Sequence, residues 1–366
     1  MQLTRSLILY FLLSSVMLTA QSSILDRPDL LALADSCLRY SYNYDFEKAR
    51  QYQQELEELT PDHPVSPFLE AMILYWENFP MTPDDVQSEL FIDLLDQSMD
   101  LAEEMQDSEQ TRLEGVFFNL FSRAFKAMFW ADNGKTAKVI PDLGPMYKST
   151  KEGFTLMDQF SEFYFSTGLY NYYVEAYPEA HPGYKALVAF MRKGDRELGL
   201  EQLDLAIKHT TFVKVQSLLF MSLIQLNYEN DLEAASFYAE ELYSSYPLNP
   251  YFQGLLVIIY LHLNQFDQLD EIIDLTTKQE DQYSELVRLT ARAYMSEKNG
   301  DEGGAETKYL SCINLADSLG PFSDTFKAVG YMGLSRLQVE KGMHKEAKKY
   351  ARKAADSTPY NFILHE

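Results

Sequence analysis

Tyrosines and one arginine concentrate in a short part of the chain, where they could recognise a polar ligand. Tyr170, Tyr173 and Tyr177 lie close together, and Arg196 follows in the next charged segment. Phenol hydroxyls beside a guanidinium can hold a carboxylate or a peptide backbone. These four residues are therefore candidate partner-binding residues. The alternative is that Arg196 pairs with a nearby acid such as Glu175 while the tyrosines fill a core.

The residue types that usually carry catalysis do not form a recognisable pattern. The six histidines are scattered, and none has metal-ligand spacing with cysteine or carboxylate. The sequence has no phosphate-cradling loop, no Gly-x-Ser-x-Gly and no zinc-protease helix. Acidic pairs such as Asp84-Asp85 are typical of helix N-termini and solvated faces. We therefore expect no enzyme activity, no cofactor and no metal.

The composition narrows the class of partner. The 366 residues include 31 Lys+Arg and 55 Asp+Glu, a formal net charge of −24. A field of that sign repels phosphate backbones and anionic membranes, so we expect no nucleic acid partner. Hydrophobic residues make up 46 % and charged residues 23 %, which is a composition that folds.

The first twenty residues are typical of an export signal. Arg5 precedes an apolar run from Leu7 to Leu18, which is too short to span a bilayer and is followed by Ala20. We therefore predict a cleavable signal peptide over 1–20, and a final location in the periplasm, at the outer membrane or outside the cell. The alternative is a buried N-terminal helix. No later stretch is apolar enough to predict a membrane span.

The rest of the chain has the pattern of consecutive helices. Apolar residues recur at three- and four-residue spacing, as in Leu219, Leu223 and Leu226, and strand-like alternation is absent. Ala49, Ala235 and Ala347 each precede a proline by twelve residues. This punctuation prompts a search for repeats.

The repeated alanine and proline resemble the tetratricopeptide repeat, a helix–turn–helix unit in which small residues let the two helices approach closely. Placing Ala347 at repeat position 20 puts Ser335 at position 8, and Ala305 does the same for Ala293. Ala235 at position 20 puts Leu223 at position 8, where a small residue is expected. The resemblance implies an all-α fold, an α-α superhelix of helical hairpins. A generic helical bundle is the alternative.

One unit departs from the repeat length. Gly168 suits position 8 and Gly199 suits position 20, but 31 residues separate them instead of 12. We therefore predict a helical insertion of 19 residues lying against one end of its own repeat. The predicted organisation is a signal peptide at 1–20, N-terminal repeats at 28–159, the inserted repeat at 160–209, and C-terminal repeats with a capping helix at 210–366.

The inserted unit carries a narrower resemblance. Gly-Leu-Tyr-Asn-Tyr-Tyr, a proline-containing elbow and then Gly-Asp-Arg-Glu-Leu-Gly are similar to a family of exported bacterial tetratricopeptide proteins. The pattern also resembles a eukaryotic tetratricopeptide family associated with mitochondrial outer membranes and with clearance of lipid droplets or inclusions. The resemblance spans about a quarter of the chain and implies a fold without any known chemistry.

The two cysteines test the predicted shape. Cys37 falls at position 8 of its unit and Cys312 at position 27, both small-residue packing positions. Units this far apart should not touch in an open solenoid. We therefore predict two buried free thiols, although an exported chain could form disulfides.

Two further segments are distinctive. The run from Val116 to Trp130 is strongly aromatic, which is typical of a core-facing helix but is also compatible with a ligand-binding lining. The last 26 residues carry six basic and three acidic residues, which is typical of a solvated capping helix. Docking of that basic helix on an acidic partner or membrane is the alternative.

A superhelix of hairpins has a curved groove that can bind extended peptides or protein surfaces. We therefore predict a non-catalytic exported scaffold that binds a protein or peptide partner. The groove candidates on the first helices of the repeats are Ser217, Asn227, Tyr251 and Arg336. The alternative is a solute- or lipid-binding component of an envelope transport system, with a small-molecule ligand held by the aromatic segments 117–130 and 164–177.

Overall fold

A computed structural model of the chain describes residues 23–277, 279–358 and 360–364. The described residues form helices and turns without a β-strand, and consecutive helices pack against one another along the chain. The protein is an all-α superhelix of helical hairpins, as the sequence predicts. The predicted signal peptide at 1–20 lies outside the described residues.

Eight helical pairs follow one another in the described part of the chain. They are α1 (Pro28–Tyr42) with α2 (Phe46–Leu59), α3 (Val65–Glu77) with α4 (Ser88–Met105), α5 (Arg112–Asp132) with α6 (Ile140–Leu156), α7 (Phe163–Ala180) with α9 (Arg196–His209) after the short α8 (Lys185–Val188), α10 (Lys214–Ile224) with α11 (Leu232–Ser245), α12 (Pro250–Leu263) with α13 (Leu269–Thr276), α14 (Gln282–Lys298) with α15 (Glu302–Leu319), and α16 (Asp324–Glu340) with α17 (His344–Ser357), before the short α18 (Asn361–Leu364).

Small residues hold the two helices of a pair together at the predicted positions. A Cβ built on Gly199 would lie 2.8 Å from the carbonyl oxygen of Gly168 and 2.7 Å from the amide nitrogen of Tyr172. In the last pair, Ser335 Oγ donates to the carbonyl oxygen of Ala347 at 2.9 Å. α7 and α9 therefore pack through facing glycines in spite of the insertion between them.

The misfit at Leu223 has a structural explanation. Ser222, not Leu223, faces α11, because Ser222 Oγ donates to the carbonyl oxygen of Ala235 at 2.9 Å. That spacing is 13 residues, one more than in the last pair. The extra residue is accommodated in a π-helical turn over Gln225–Glu229. The assignment of Leu223 to position 8 is therefore wrong by one residue.

The superhelix is wound tightly enough for its early and late pairs to meet. Asn249 Nδ2 donates to the carbonyl oxygen of Tyr42 at 3.1 Å. The ring of Phe79, after α3, lies 4.9 Å from that of Phe322 and 5.2 Å from that of Tyr283. The expectation of an open solenoid is therefore wrong, because small rotations between successive pairs accumulate into closure.

The prediction of two buried free thiols is confirmed. Cys37 and Cys312 are both free and inaccessible to solvent. Burial raises the pKa of each thiol to about 12, which keeps both protonated and unreactive. Closure therefore brings distant pairs together without joining the two cysteines.

The insertion begins as a continuation of α7, which runs through Pro178 to Ala180. Its last part packs against α6 of the preceding pair, where the Arg192 guanidinium lies 3.7 Å above the Phe154 ring. Phe190 is 94 % exposed, so this aromatic side chain of the insertion lies outside the core. Asp195 then begins α9 by accepting a hydrogen bond from the Leu198 amide at 3.0 Å.

The aromatic segment forms part of the core. Phe117, Phe118, Phe121 and Phe129 on α5 are buried, and the Phe117 ring lies 5.6 Å from that of Phe212. α5 therefore joins the third pair to the start of the fifth. The basic α17 has two buried residues, Ala347 and Ala354, and its remaining positions are partly or fully exposed.

The glycine contact gives a prediction about stability. Gly199→Ala would place a methyl group against backbone atoms that cannot move aside, so we expect a loss of about 1–3 kcal/mol in the free energy of unfolding by urea. The control is Gly144→Ala on α6, where a Cβ meets nothing within 4 Å. That variant should be unchanged or stabilised by about 0.5–1 kcal/mol through helix propensity. Equal effects of the two substitutions would contradict the close packing of α7 and α9.

Candidate functional site

Where early and late pairs meet, the closed superhelix leaves a partly open cavity of about 360 Å³, which we call the chamber. Half of its twenty lining residues are aromatic, and they come from pairs that are distant along the chain. The aromatic lining residues are Tyr42, Tyr75, Trp76, Phe79, Phe125, Phe220, Tyr251, Phe252, Phe322 and Tyr360. The polar lining residues are Asp132, Gln216, Asn227 and Thr325.

The aromatic wall is held by ring contacts between separate pairs. The Trp76 ring at the end of α3 lies 5.5 Å from that of Tyr42 and 5.9 Å from that of Phe252. Phe79 lies 5.7 Å from Tyr251 in an edge-to-face arrangement. Such contacts stabilise aromatic pairs beyond the burial of their surface. The chamber is therefore shaped by the same contacts that close the superhelix.

Asp132 is the residue of the chamber that carries a formal charge, among the described residues that line it. It is the last residue of α5, and its carboxylate has no hydrogen-bond or salt-bridge partner in the described parts of the chain. Burial raises its pKa to about 7. The carboxylate is thus placed where its charge costs free energy and no protein group offsets that cost.

Two further polar groups of the wall lack partners. Gln216 donates to the Tyr42 hydroxyl through Nε2, and its Oε1 is buried without a donor in the described structure. The indole N–H of Trp76 is buried without an acceptor there. A buried donor or acceptor with no partner is uncommon in native proteins.

The structure separates the predicted groove residues. Asn227 and Tyr251 line the chamber. Ser217 is fully buried, and its Oγ donates to the carbonyl oxygen of Val213 at 2.7 Å. Arg336 forms a two-bond salt bridge with Glu297, at 2.7 and 2.9 Å. Ser217 and Arg336 therefore act within the fold, in contacts that the sequence did not predict.

The tyrosines and arginine of the inserted unit lie away from the chamber wall. Arg196 pairs with Glu229 at 3.0 Å and with Glu179 at 3.1 Å, so the acid named from the sequence, Glu175, is the wrong one. Tyr172 Oη, which the sequence did not single out, joins this group by donating to Glu229. The guanidinium therefore joins α9 to the π turn and to α7.

The three predicted tyrosines point to different surroundings. Tyr170 Oη donates to the carbonyl oxygen of Arg192 at 2.7 Å, which holds the end of the insertion. The Tyr173 ring packs 5.4 Å from that of Tyr228, and burial raises its pKa. The Tyr177 ring lies 4.3 Å from that of His181. The structure thus does not bring the three tyrosines into one ligand site.

The small-molecule pocket expected from the aromatic segments is also placed differently. Phe125 and Met128 of segment 117–130 line the chamber. The other described lining residues lie outside that segment, and none of them comes from 164–177. The rings of the two segments pack against each other in the core, as Phe121 and Phe165 do at 5.8 Å. Helix ends that close the superhelix supply the lining instead.

Two buried carboxylates elsewhere are satisfied by protein groups. Glu162, before α7, accepts backbone N–H bonds from Thr211 at 2.6 Å and from Phe212 and Val213 at 3.1 Å. Burial still raises its pKa to about 7. Glu114 accepts from the Leu25 amide at 2.8 Å and faces His63 Nε2 at 3.1 Å. Both differ from Asp132 in having partners.

His63 is buried and takes part in packing. Its Nδ1 accepts a hydrogen bond from the Val65 amide at 3.1 Å, so Nε2 is the nitrogen that carries the proton toward Glu114. The sequence offered no signal for the partner, which lies 51 residues away.

A second concavity of about 820 Å³ lies along the first pair, at the turn into α2, and also contacts the end of α3 and the segment before α12. We call it the outer groove. It is lined by Asn43, Tyr44, Asp45, Phe46, Glu47, Arg50, Gln51, Gln54, Glu77 and Leu248. The side chains of Gln51 and Gln54 are exposed, and Leu248 is 42 % exposed.

The described residues contain no group of three or more histidine, cysteine or acidic side chains placed to hold a metal ion. No helix between residues 23 and 364, in the parts described, is long and apolar enough to cross a membrane.

The likeness of this chain to known proteins is remote. No family model and no curated protein matches the sequence. Among solved structures, the chain is similar to yeast Tom70, with 13 % identity, coverage of 92 % of this chain and 86 % of that chain, and a TM-score of 0.29. Values this low carry no statement about activity or partners.

The raised pKa of Asp132 predicts how stability depends on pH. The folded protein keeps the Asp132 proton up to about pH 7, whereas an ordinary aspartate loses it near pH 3.8. The free energy of unfolding should therefore fall as pH rises from about 4 to 7, with Glu162 contributing in the same direction. Asp132→Asn should remove about 2 kcal/mol of this fall, after allowance for solvent screening.

Urea titrations at several pH values measure this difference. Asp107→Asn, at an exposed site, changes the net charge equally and should leave the slope as it is. An Asp132→Asn variant with the same pH slope as the parent protein would show that Asp132 titrates normally.

Proposed function

We propose that this chain is an exported, non-catalytic helical-repeat scaffold that binds a protein partner in the cell envelope. The observation that carries the proposal is the outer groove, an open concavity of about 820 Å³ formed mainly by the turn into α2 and by α2 itself. Helical repeat arrays use extended concave surfaces to bind proteins. The sequence led us to expect a binding groove along the first helices of the repeats. The outer groove is the alternative surface that we propose for this role.

The chemistry of the outer groove suits an extended peptide. Gln51 and Gln54 present amides that can both donate and accept hydrogen bonds with a peptide backbone. Leu248 offers an exposed apolar contact, and Arg50 is paired with Glu77 across the groove. With a net charge of −24, the surface favours a partner with basic groups and disfavours nucleic acid.

Export and final location belong to the same proposal. They rest on the apolar run from Leu7 to Leu18 behind Arg5. Periplasm, outer-membrane association and secretion all agree with that signal.

Site-directed crosslinking in cells tests the scaffold function. A photo-crosslinking amino acid at Gln54 should capture a reproducible protein partner, because this position faces the outer groove. The same amino acid at Gln110, which is exposed but outside the groove, is the matched control. Absence of a reproducible adduct at Gln54, or the same adducts at both positions, would argue against the groove as a protein-binding site.

The chamber supports a second candidate function, the binding of a small solute, as in an envelope transport system. Its volume of about 360 Å³ falls in the range of small-molecule sites, and half of its lining residues are aromatic, with a few polar groups among the rest. The specific observation in favour is that ten aromatic side chains and a few polar groups surround one cavity.

Native mass spectrometry of the purified protein tests the second function. We expect a retained or exchangeable small molecule, and its loss in Leu223→Trp, because the larger side chain fills space that Leu223 borders. Leu90→Trp at an exposed site is the control and should keep the ligand. A ligand retained equally by both variants would place it outside the chamber.

A further inference from the structure

The charge distribution around the chamber is one-sided. Asp132 supplies a carboxylate, and no lysine, arginine or histidine is among the described lining residues. The titratable groups facing it are tyrosines, of which Tyr75 on α3 and Tyr251 on α12 interact with it most directly. Tyr42 and Tyr360 complete the phenols of the wall. A bound anion would thus meet no positive side chain there.

The position of Asp132 is unfavourable for an ionised group on three counts. It is partly buried, its carboxylate has no protein partner in the described structure, and it ends α5. The C-terminal end of a helix carries partial negative charge, which repels a carboxylate. By contrast, Glu162 and Glu114 are more deeply buried but receive backbone donors. Folding alone gives no reason for an acid at position 132.

The neighbouring aromatic rings make the same space attractive to a cation. Ring faces of tryptophan and tyrosine attract ammonium groups within about 6 Å of the ring centre. Trp76 and Tyr251 line the chamber together, with their ring centroids 6.5 Å apart. Gln216 Oε1, buried and without a donor, adds a neutral acceptor to the same wall.

We propose that the chamber binds an organic cation, a primary ammonium group on a small apolar body, with Asp132 as its counter-ion. The proposal rests on the second candidate function and names its ligand class. The ammonium group pairs with the carboxylate and donates to Gln216 Oε1, while the apolar body lies against Trp76, Tyr251 and Phe322. The negative charge of the whole protein raises the local concentration of such cations.

The ammonium group could belong to a free amine or to a lysine side chain of a bound protein. Titration calorimetry with 2-phenylethylamine and with Nα-acetyl-lysine methylamide separates these sources. Binding of the first alone identifies a free amine, and binding of the second with equal or higher affinity identifies a lysine. Either result supports an ammonium site.

Neutral and anionic analogues test the charge requirement. At pH 8, 2-phenylethylamine should bind one site per chain, at least tenfold more tightly than 2-phenylethanol, and phenylacetate should not bind. The affinity for the amine should fall about tenfold from pH 8 to pH 6, because Asp132, with a pKa of about 7, is then mostly protonated. The amine itself stays protonated at both pH values.

Paired variants assign the effect to the carboxylate. Asp132→Asn should lose at least tenfold in affinity for the amine and lose the pH dependence, while binding of 2-phenylethanol stays unchanged. Asp107→Asn, exposed and away from the chamber, should behave as the parent protein. Circular dichroism and the urea midpoint establish that each variant is folded.

The possible outcomes distinguish a failure of the ammonium site from a failure of the solute-binding chamber. Equal binding of amine and alcohol, both blocked by Leu223→Trp, would overturn the ammonium site and leave a solute-binding chamber. Binding of neither compound, or binding that Leu223→Trp leaves intact, would overturn the chamber as the site. An amine affinity unchanged by Asp132→Asn would also overturn the proposed counter-ion.

Discussion

The closed shape of this protein depends on the side chain of Asn249. Its Oδ1 accepts from the amides of Tyr251 and Phe252 at 3.0 and 3.3 Å and so begins α12, while its Nδ2 reaches the carbonyl oxygen of Tyr42 at the end of α1. The residue is inaccessible to solvent, so each of these bonds is costly to leave unmade. One side-chain amide thus fixes the start of α12 and the contact between the first and sixth pairs, which we call the seam.

The aromatic contacts act together with that seam. Phe79 touches rings from the sixth, seventh and eighth pairs through Tyr251, Tyr283 and Phe322. In an open repeat array each unit contacts only its neighbours, and stability is close to a sum of local terms. Here the contacts across the seam couple the early and late pairs, and they also form the wall of the chamber. Shape, stability and the candidate ligand site therefore share the same residues.

The sequence was sufficient for the local rules of packing. Gly168 and Gly199 identified a close helix contact across an insertion, and Cys37 and Cys312 were recognised as packing residues, because small side chains are required where helices approach. The shift from Leu223 to Ser222 was missed, since a single added residue in a π turn leaves the hydrophobic pattern nearly unchanged. Closure was missed because it depends on small rotations summed over several pairs. Asp132 was missed for the same reason. Its surroundings come from residues on both sides of the seam, and nothing in the sequence distinguishes it from other acids.

The seam also has a consequence for the order in which the chain is made. Asn249 is separated from Tyr42 by 207 positions, so the end of α1 leaves the ribosome long before the residues that pack against it have been synthesised. The apolar surfaces around Trp76 and Phe79 remain exposed to solvent until most of the remaining chain has been translated. Nascent chains with such delayed burial are prone to aggregate and are typical clients of chaperones. Single repeats can fold one after another from the N-terminus, but the seam can form only after the late pairs have been synthesised.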